Sequence, residues 1–155
     1  MSVPLVIGIG NPDRGDDAAG PLVADAVTSL RPDIDVVRLS DPLALVDLLA
    51  GRHLVIVVDA ALTGRPPGTV GVLDVSDSPL PGERRGSTTS SHGLSLGDAI
   101  ELARALGRLP DRLLVVVVEG DAVELGQAPQ PIVLASVTEA TTQVLAMVDG
   151  GIGDR

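Results

Sequence analysis

Three uninterrupted apolar runs constrain what this chain can fold into. Val3 to Ile9, Leu54 to Val58 and Leu113 to Val118 contain no charged residue and are rich in β-branched side chains. A strand with one wet face alternates apolar and polar residues, whereas a run without alternation is a strand buried on both faces. Covering both faces of a sheet requires helices, and the intervening segments supply them. Ala18 to Leu30 places Leu22, Val23, Ala26, Val27 and Leu30 at helical spacing, with Pro21 in its first turn. Leu94 to Leu106 turns Leu96, Ile100 and Ala103 inward and Asp98, Glu101 and Arg104 outward. Pro131 to Val148 reads as a last helix, followed by a tail from residue 149 or 150 to 155 that is expected to fray. Two further strands, Ile34 to Leu39 and Thr69 to Val75, and a short helix from Leu43 to Ala50, ended by Gly51, complete the pattern.

Strands alternating with helices predict a three-layer α/β/α fold around a mostly parallel sheet. The fourth strand is the exception. Gly64-Arg65-Pro66-Pro67-Gly68 leaves no room for a crossover helix, so strands three and four cannot be adjacent parallel partners. The fourth is expected to run antiparallel. A length of 155 residues fits one domain, with no internal repeat or dividing linker.

Composition removes several functions. The chain has no Cys, so disulfides, thiolate metal sites and cysteine nucleophiles are excluded. It has no Phe, Tyr or Trp, which removes the aromatic platforms of most single-strand nucleic-acid binding. A net charge of −10, without a single Lys, would repel a phosphate backbone or an anionic membrane. No basic leader is visible, and the longest apolar runs are far below the roughly 18 residues of a membrane span. The expectation is a cytoplasmic protein that binds neither nucleic acid nor membrane.

The segment Gly8-Ile9-Gly10-Asn11-Pro12-Asp13-Arg14-Gly15-Asp16-Asp17 follows the first strand, where a dinucleotide loop would stand. Its spacing is wrong: the third glycine comes five residues after the second, at Gly15, instead of three. Asp16 and Asp17 also occupy the helix start where a pyrophosphate would sit, and two carboxylates there repel phosphate. No nucleotide is expected. Both acids can be read as simple helix caps; Asp16 is the better cap, which leaves Asp17 to point over the sheet edge.

Asp59 closes the third strand. In an open α/β sheet, ligands bind beyond the carboxyl ends of the strands, so Asp17 and Asp59 would share an edge if strands one and three are neighbours. A turn residue is the plainer reading of Asp59. His92 precedes a helix, after the long Ser-, Pro-, Gly- and Arg-rich loop Ser76 to Ser91, and a solvated loop histidine is its plainer reading. His53 lies before strand three, at the opposite edge, and reads as structural or exposed. Two carboxylates and one imidazole form a mixed oxygen and nitrogen set that suits Ni²⁺ or Zn²⁺ better than Mg²⁺ or Ca²⁺. Three protein ligands would leave coordination positions open. Other chemistries fit less well. Ser90 and Ser91 lie beside His92, but no Gly-x-Ser-x-Gly elbow exists. No His-Glu-x-x-His helix exists either. Arg84 and Arg85 read as solvated loop charges.

Gly8-Ile9-Gly10-Asn11, then Gly15-Asp16-Asp17-Ala18-Ala19-Gly20-Pro21, then Val58-Asp59-Ala60, then Ser91-His92-Gly93-Leu94 together resemble the hydrogenase maturation endopeptidases. The likeness runs from about residue 3 to about residue 148. It implies a phosphorylase/hydrolase-like fold with a five-stranded mixed sheet. It implies that Asp17, Asp59 and His92 are the catalytic, metal-contacting residues. It also implies a substrate, the precursor of a nickel-iron hydrogenase large subunit, cut near its C-terminus after nickel is inserted. In that picture the nickel belongs to the substrate, and a monomeric enzyme is expected. One departure stands out: where many relatives have an Asp-Gly-Gly-Thr-like segment, this chain reads Leu39-Ser40-Asp41-Pro42-Leu43. Glu119 matches an acidic position of the family and is given no role. The alternative from another class is a non-catalytic metallochaperone or precursor-binding module using the same residues, and a nucleotide-binding regulator is a more distant one.

Overall fold

In a computed structural model that describes residues 3–81 and 95–150, five strands form one sheet in the order β2-β1-β3-β5-β4. The strands are β1 (Leu5–Ile9), β2 (Asp35–Leu39), β3 (Leu54–Ala61), β4 (Val70–Asp74) and β5 (Arg112–Glu119). Four run parallel, and β4 pairs antiparallel with β5 at the edge. β5 therefore separates β3 from β4, as the short glycine- and proline-rich connection requires. The helices are α1 (Ala19–Leu30), α2 (Leu96–Ala105) and α3 (Pro131–Val148).

The period of two along each strand sorts the apolar runs between two cores. Leu5, Ile7 and Ile9 of β1, Val55 and Val57 of β3 and Leu113 and Val115 of β5 face α2 and the short helix before β3. Val6, Ile56, Val58, Leu114, Val116 and Val118 face α1 and α3. Each run lacks polar alternation because both faces are covered. With no aromatic ring available, branched aliphatic side chains and Met147 fill the interior. α3 is long and apolar enough, at mean hydropathy 1.4, to cross a membrane by composition alone. Its apolar content is explained by the sheet it covers with Val133, Ala140, Val144 and Met147.

Crossover handedness explains the layering. The chain leaves β1 through α1 on one face and reaches β2 on one side. It then returns over the opposite face to β3 on the other side of β1. Right-handed crossovers running in opposite directions must use opposite faces. The switch of direction falls between β1 and β3, whose carboxyl ends finish side by side.

Some boundaries differ from expectation. The segment expected as a helix from Leu43 to Ala50 is a 3-10 helix, Pro42–Asp47. Asp41 caps it by accepting from the Leu43 N–H at 3.0 Å, and Leu48 N–H closes back on Leu45 C=O. Tight winding suits so short a piece that must deliver Leu45, Val46 and Leu49 to the core. β3 continues past Val58 to Ala61, because β5 is equally long and pairs with it up to Glu119.

Ile56 is fully buried in the middle of β3. Ile56→Ala should destabilise the fold by about 3 kcal/mol, the cost of lost burial plus a cavity. Leu30→Ala, at a residue 61% exposed, should cost no more than about 0.5 kcal/mol. Denaturant melts followed by circular dichroism measure both, since the chain has no aromatic fluorophore.

Candidate functional site

Asp17 sits in a 3-10 turn, Gly15–Ala18, that leads directly into α1. That turn packs against β3 as well as against α1. Close backbone approach makes this possible. A side chain at Gly20 would begin 2.2 Å from Ile9 C=O and 2.7 Å from Val58 C=O. The start of α1 thus lies directly over the ends of both central strands. Gly10, at φ +147°, serves the same purpose: a Cβ there would lie 2.0 Å from Asp17 C=O.

β1 and β3 are parallel neighbours, with Gly8 opposite Val58. Asp59 is the next residue of β3 and pairs across to Val117 of β5. Asp17 and Asp59 therefore stand at the same carboxyl edge of the sheet, beyond adjacent strands, and both are half-buried. His92, Ser90, Ser91, Arg84 and Arg85 lie outside the described residues. Among the described residues, no three His, Asp or Glu side chains form a group able to hold a metal ion. His53 is at the opposite edge, with Nδ1 3.2 Å from Asp111 Oδ2, and is exposed.

The two adjacent aspartates occupy different electrostatic environments. Asp17 Oδ2 accepts the Asn11 N–H at 2.8 Å. Burial pushes the Asp17 carboxyl up from its ordinary range, and the Asn11 N–H and the Arg14 charge only partly offset that. Asp16 is shifted the other way. Its burial also favours the neutral form, but the Gln130 N–H, the Asp121 N–H, the Gln130 side chain and the Ala122 N–H together hold its carboxyl below the usual range.

Asp16 corrects the sequence reading, because it caps neither the 3-10 turn nor α1. Its carboxylate crosses to the loop between β5 and α3. Oδ1 accepts the Gln130 N–H at 2.8 Å, and Oδ2 accepts from Gln130 Nε2 at 2.6 Å and from the Asp121 and Ala122 N–H groups at 3.0 Å. Gln130 Nε2 also donates to Asp121 Oδ1. Gln130 is the residue from which α3 springs, so Asp16 serves the start of a helix more than a hundred positions away. A carboxylate followed by a helix looks like that helix's cap, and no local signal tells otherwise.

Glu119, the last residue of β5, is a second buried carboxylate. It accepts from Thr63 N–H at 2.6 Å, Thr63 Oγ1 at 2.8 Å and Gly64 N–H at 3.2 Å. It thereby anchors the loop that follows Asp59 and β3. Neither Asp16 nor Glu119 was recognisable in sequence as a loop anchor.

These environments predict opposite stability effects. The raised Asp17 carboxyl penalises the fold at neutral pH. That penalty appears as pH rises through its folded pKa and is absent below the ordinary aspartate value. Asp17→Asn, whose amide oxygen can still accept from Asn11, should melt above the wild type at pH 7 and lose this advantage on acidification. The depressed Asp16 carboxyl stabilises the fold above the ordinary aspartate value, and that contribution fades as pH falls through its lower folded pKa. Asp16→Asn should cost about 3 kcal/mol at pH 7, since one amide cannot satisfy all the donors, with a smaller deficit in acid. Thermal melts by circular dichroism across pH read both signs.

Comparison with known proteins gives a consistent result. A family model described as hydrogenase maturation protease matches residues 40–147, a stretch that includes Asp59 and His92 but not Asp17. The hydrogenase 2 maturation protease of Escherichia coli K12 is 29% identical over 147 residues, spanning 92% of this chain and 88% of that protein. The solved hydrogenase maturating endopeptidase HybD from E. coli has a TM-score of 0.77 at 25% identity, with 97% of this chain and 94% of that one covered. The NiFe hydrogenase maturation protease HycI from Thermococcus kodakarensis shares the fold, with a TM-score of 0.72 at 24% identity over 95% of this chain and 92% of its own.

Proposed function

The chain belongs to the hydrogenase maturation protease family, and we propose that it removes the C-terminal extension of a nickel-iron hydrogenase large-subunit precursor once nickel has been inserted. The observation that carries this reading is the pair of carboxylates, Asp17 and Asp59, at one edge of the sheet beyond the adjacent strands β1 and β3. Asp17 is half-buried and short of positive charge. A divalent ion arriving with the substrate would supply that charge, and two carboxylates with an imidazole favour nickel over magnesium or calcium.

On this reading His92 is the third residue to meet the nickel, and the enzyme carries no nickel of its own. The precursor docks its nickel-bearing C-terminal region at the edge. Asp17, Asp59 and His92 complete the coordination and so place the scissile peptide. Hydrolysis then draws on a carbonyl polarised by the substrate's metal or on a water activated by it. Fixing the peptide at the site contributes several kcal/mol toward the barrier, on the order of that seen for well-oriented intramolecular reactions. Precursor without nickel lacks the anchor and is spared. The protease acts as a monomer in the cytoplasm.

The test is a cleavage assay with nickel-loaded and nickel-free precursor, resolved by mass. Loss of the extension only from the loaded form is expected, and equal cutting of both forms would refute nickel recognition. Asp17→Ala, Asp59→Ala and His92→Ala should each abolish processing while leaving the circular dichroism spectrum unchanged. Full processing by any one of them would remove that residue from the site.

A further inference from the structure

Asp16 is adjacent to Asp17 in sequence but is fully buried, so it cannot reach a substrate. Its four hydrogen bonds reach the far loop, between β5 and α3. They do not act alone. Asp16 N–H donates to Ala122 C=O at 2.6 Å, Gly15 N–H to Gln127 C=O at 2.9 Å and Gly126 N–H to Asp13 C=O at 2.7 Å. Arg14 Nε donates to Val123 C=O at 3.2 Å. Every residue from Asp13 to Asp16 is thus tied across to residues 121–130. Asp17 is the first residue of the turn without such a tie, and its N–H bonds locally to Arg14 C=O. The cross-tied segment ends immediately before the carboxylate at the sheet edge.

We propose that Asp16, braced by Gln130, is a positioning residue for Asp17: its buried carboxylate locks the Gly15–Ala18 turn to the β5–α3 loop and so sets where the Asp17 carboxylate stands. This rests on the reading above, in which Asp17 meets the substrate. Two features favour positioning over general stapling of the fold. The bonds converge on a single turn whose next side chain is the candidate ligand, and they join two loops at the same carboxyl edge. Several ties acting on one short turn also leave it little freedom to shift, and small misplacements of a reacting group are costly in rate.

The test uses Asp16→Asn and Gln130→Ala. The second retains Asp16 and its backbone donors, and so covers the case in which the first does not fold. Val144→Ala, a core substitution in α3, is the control for lost stability. Assays run at a temperature where all variants are folded. Asp16→Asn should lower kcat for precursor cleavage by about tenfold or more. Gln130→Ala should lower it by a smaller factor. Because Asp17 meets the nickel-bearing precursor on the reading above, KM should rise along with the fall in kcat for both, and Val144→Ala should cleave at the wild-type rate.

Hydrogen exchange supplies a readout that needs no substrate. The Asn11 amide bonds to Asp17 Oδ2, so its protection reports where that carboxylate stands. In Asp16→Asn and Gln130→Ala its protection should fall by a larger factor than that of the Val6 and Ile7 amides of β1, which report the loss of global stability. Wild-type kcat in both variants, or slower cleavage with the Asn11 amide unchanged, would overturn the proposal. So would a loss of protection no larger at Asn11 than at Val6 and Ile7, which marks simple destabilisation. If the wild type cuts no precursor, the preceding reading fails and the exchange result alone decides this one.

Discussion

The pairing of β1 with β3 is the constraint on which the rest of the structure depends. These strands are distant in sequence, but they lie side by side and parallel, with Gly8 opposite Val58. Their carboxyl ends therefore finish together, and whatever follows each strand is delivered to one place. The start of α1 can lie flat over both ends only because Gly20 brings no side chain between backbone carbonyls. The chain reverses its direction of travel across the sheet at this point, where open α/β sheets bind their ligands.

The carboxylates around this edge are handled in two ways. Asp16 and Glu119 are buried and surrounded by N–H and hydroxyl donors, which satisfy their oxygens. Asp17 receives one backbone donor and a more distant guanidinium, so it retains an unmet demand for positive charge. The acids with several donors brace loops, and the one with a single backbone donor stands at the carboxyl edge of the sheet. On the proposed reading, this division lets a rigid scaffold present Asp17 to the substrate's metal.

Much of the fold was legible in order. The uninterrupted runs of β1, β3 and β5 announced strands covered on both sides, and the interior supports that reading residue by residue. The antiparallel fourth strand followed from a connection too short for a crossover. Helix α3 begins and ends where its proline and its apolar spacing indicated. The 3-10 winding of Pro42–Asp47 was not legible, because hydrogen-bond spacing in so short a helix depends on what it packs against. Asp16 was misread for a related reason: a carboxylate before a helix has a local explanation, and its actual partners lie past residue 120.

Apolar period, glycine placement and charge are local properties, so the order of residues already dictated strands, helices, a two-sided core and the absence of thiol and aromatic chemistry. Which carboxylates would be neighbours, and which of them would be satisfied, was decided only when the sheet closed. Hydrogen bonds and desolvation act over a few ångströms, and only folding brings residue 16 to within hydrogen-bonding distance of residue 130 and sets Asp17 and Asp59 at a common edge.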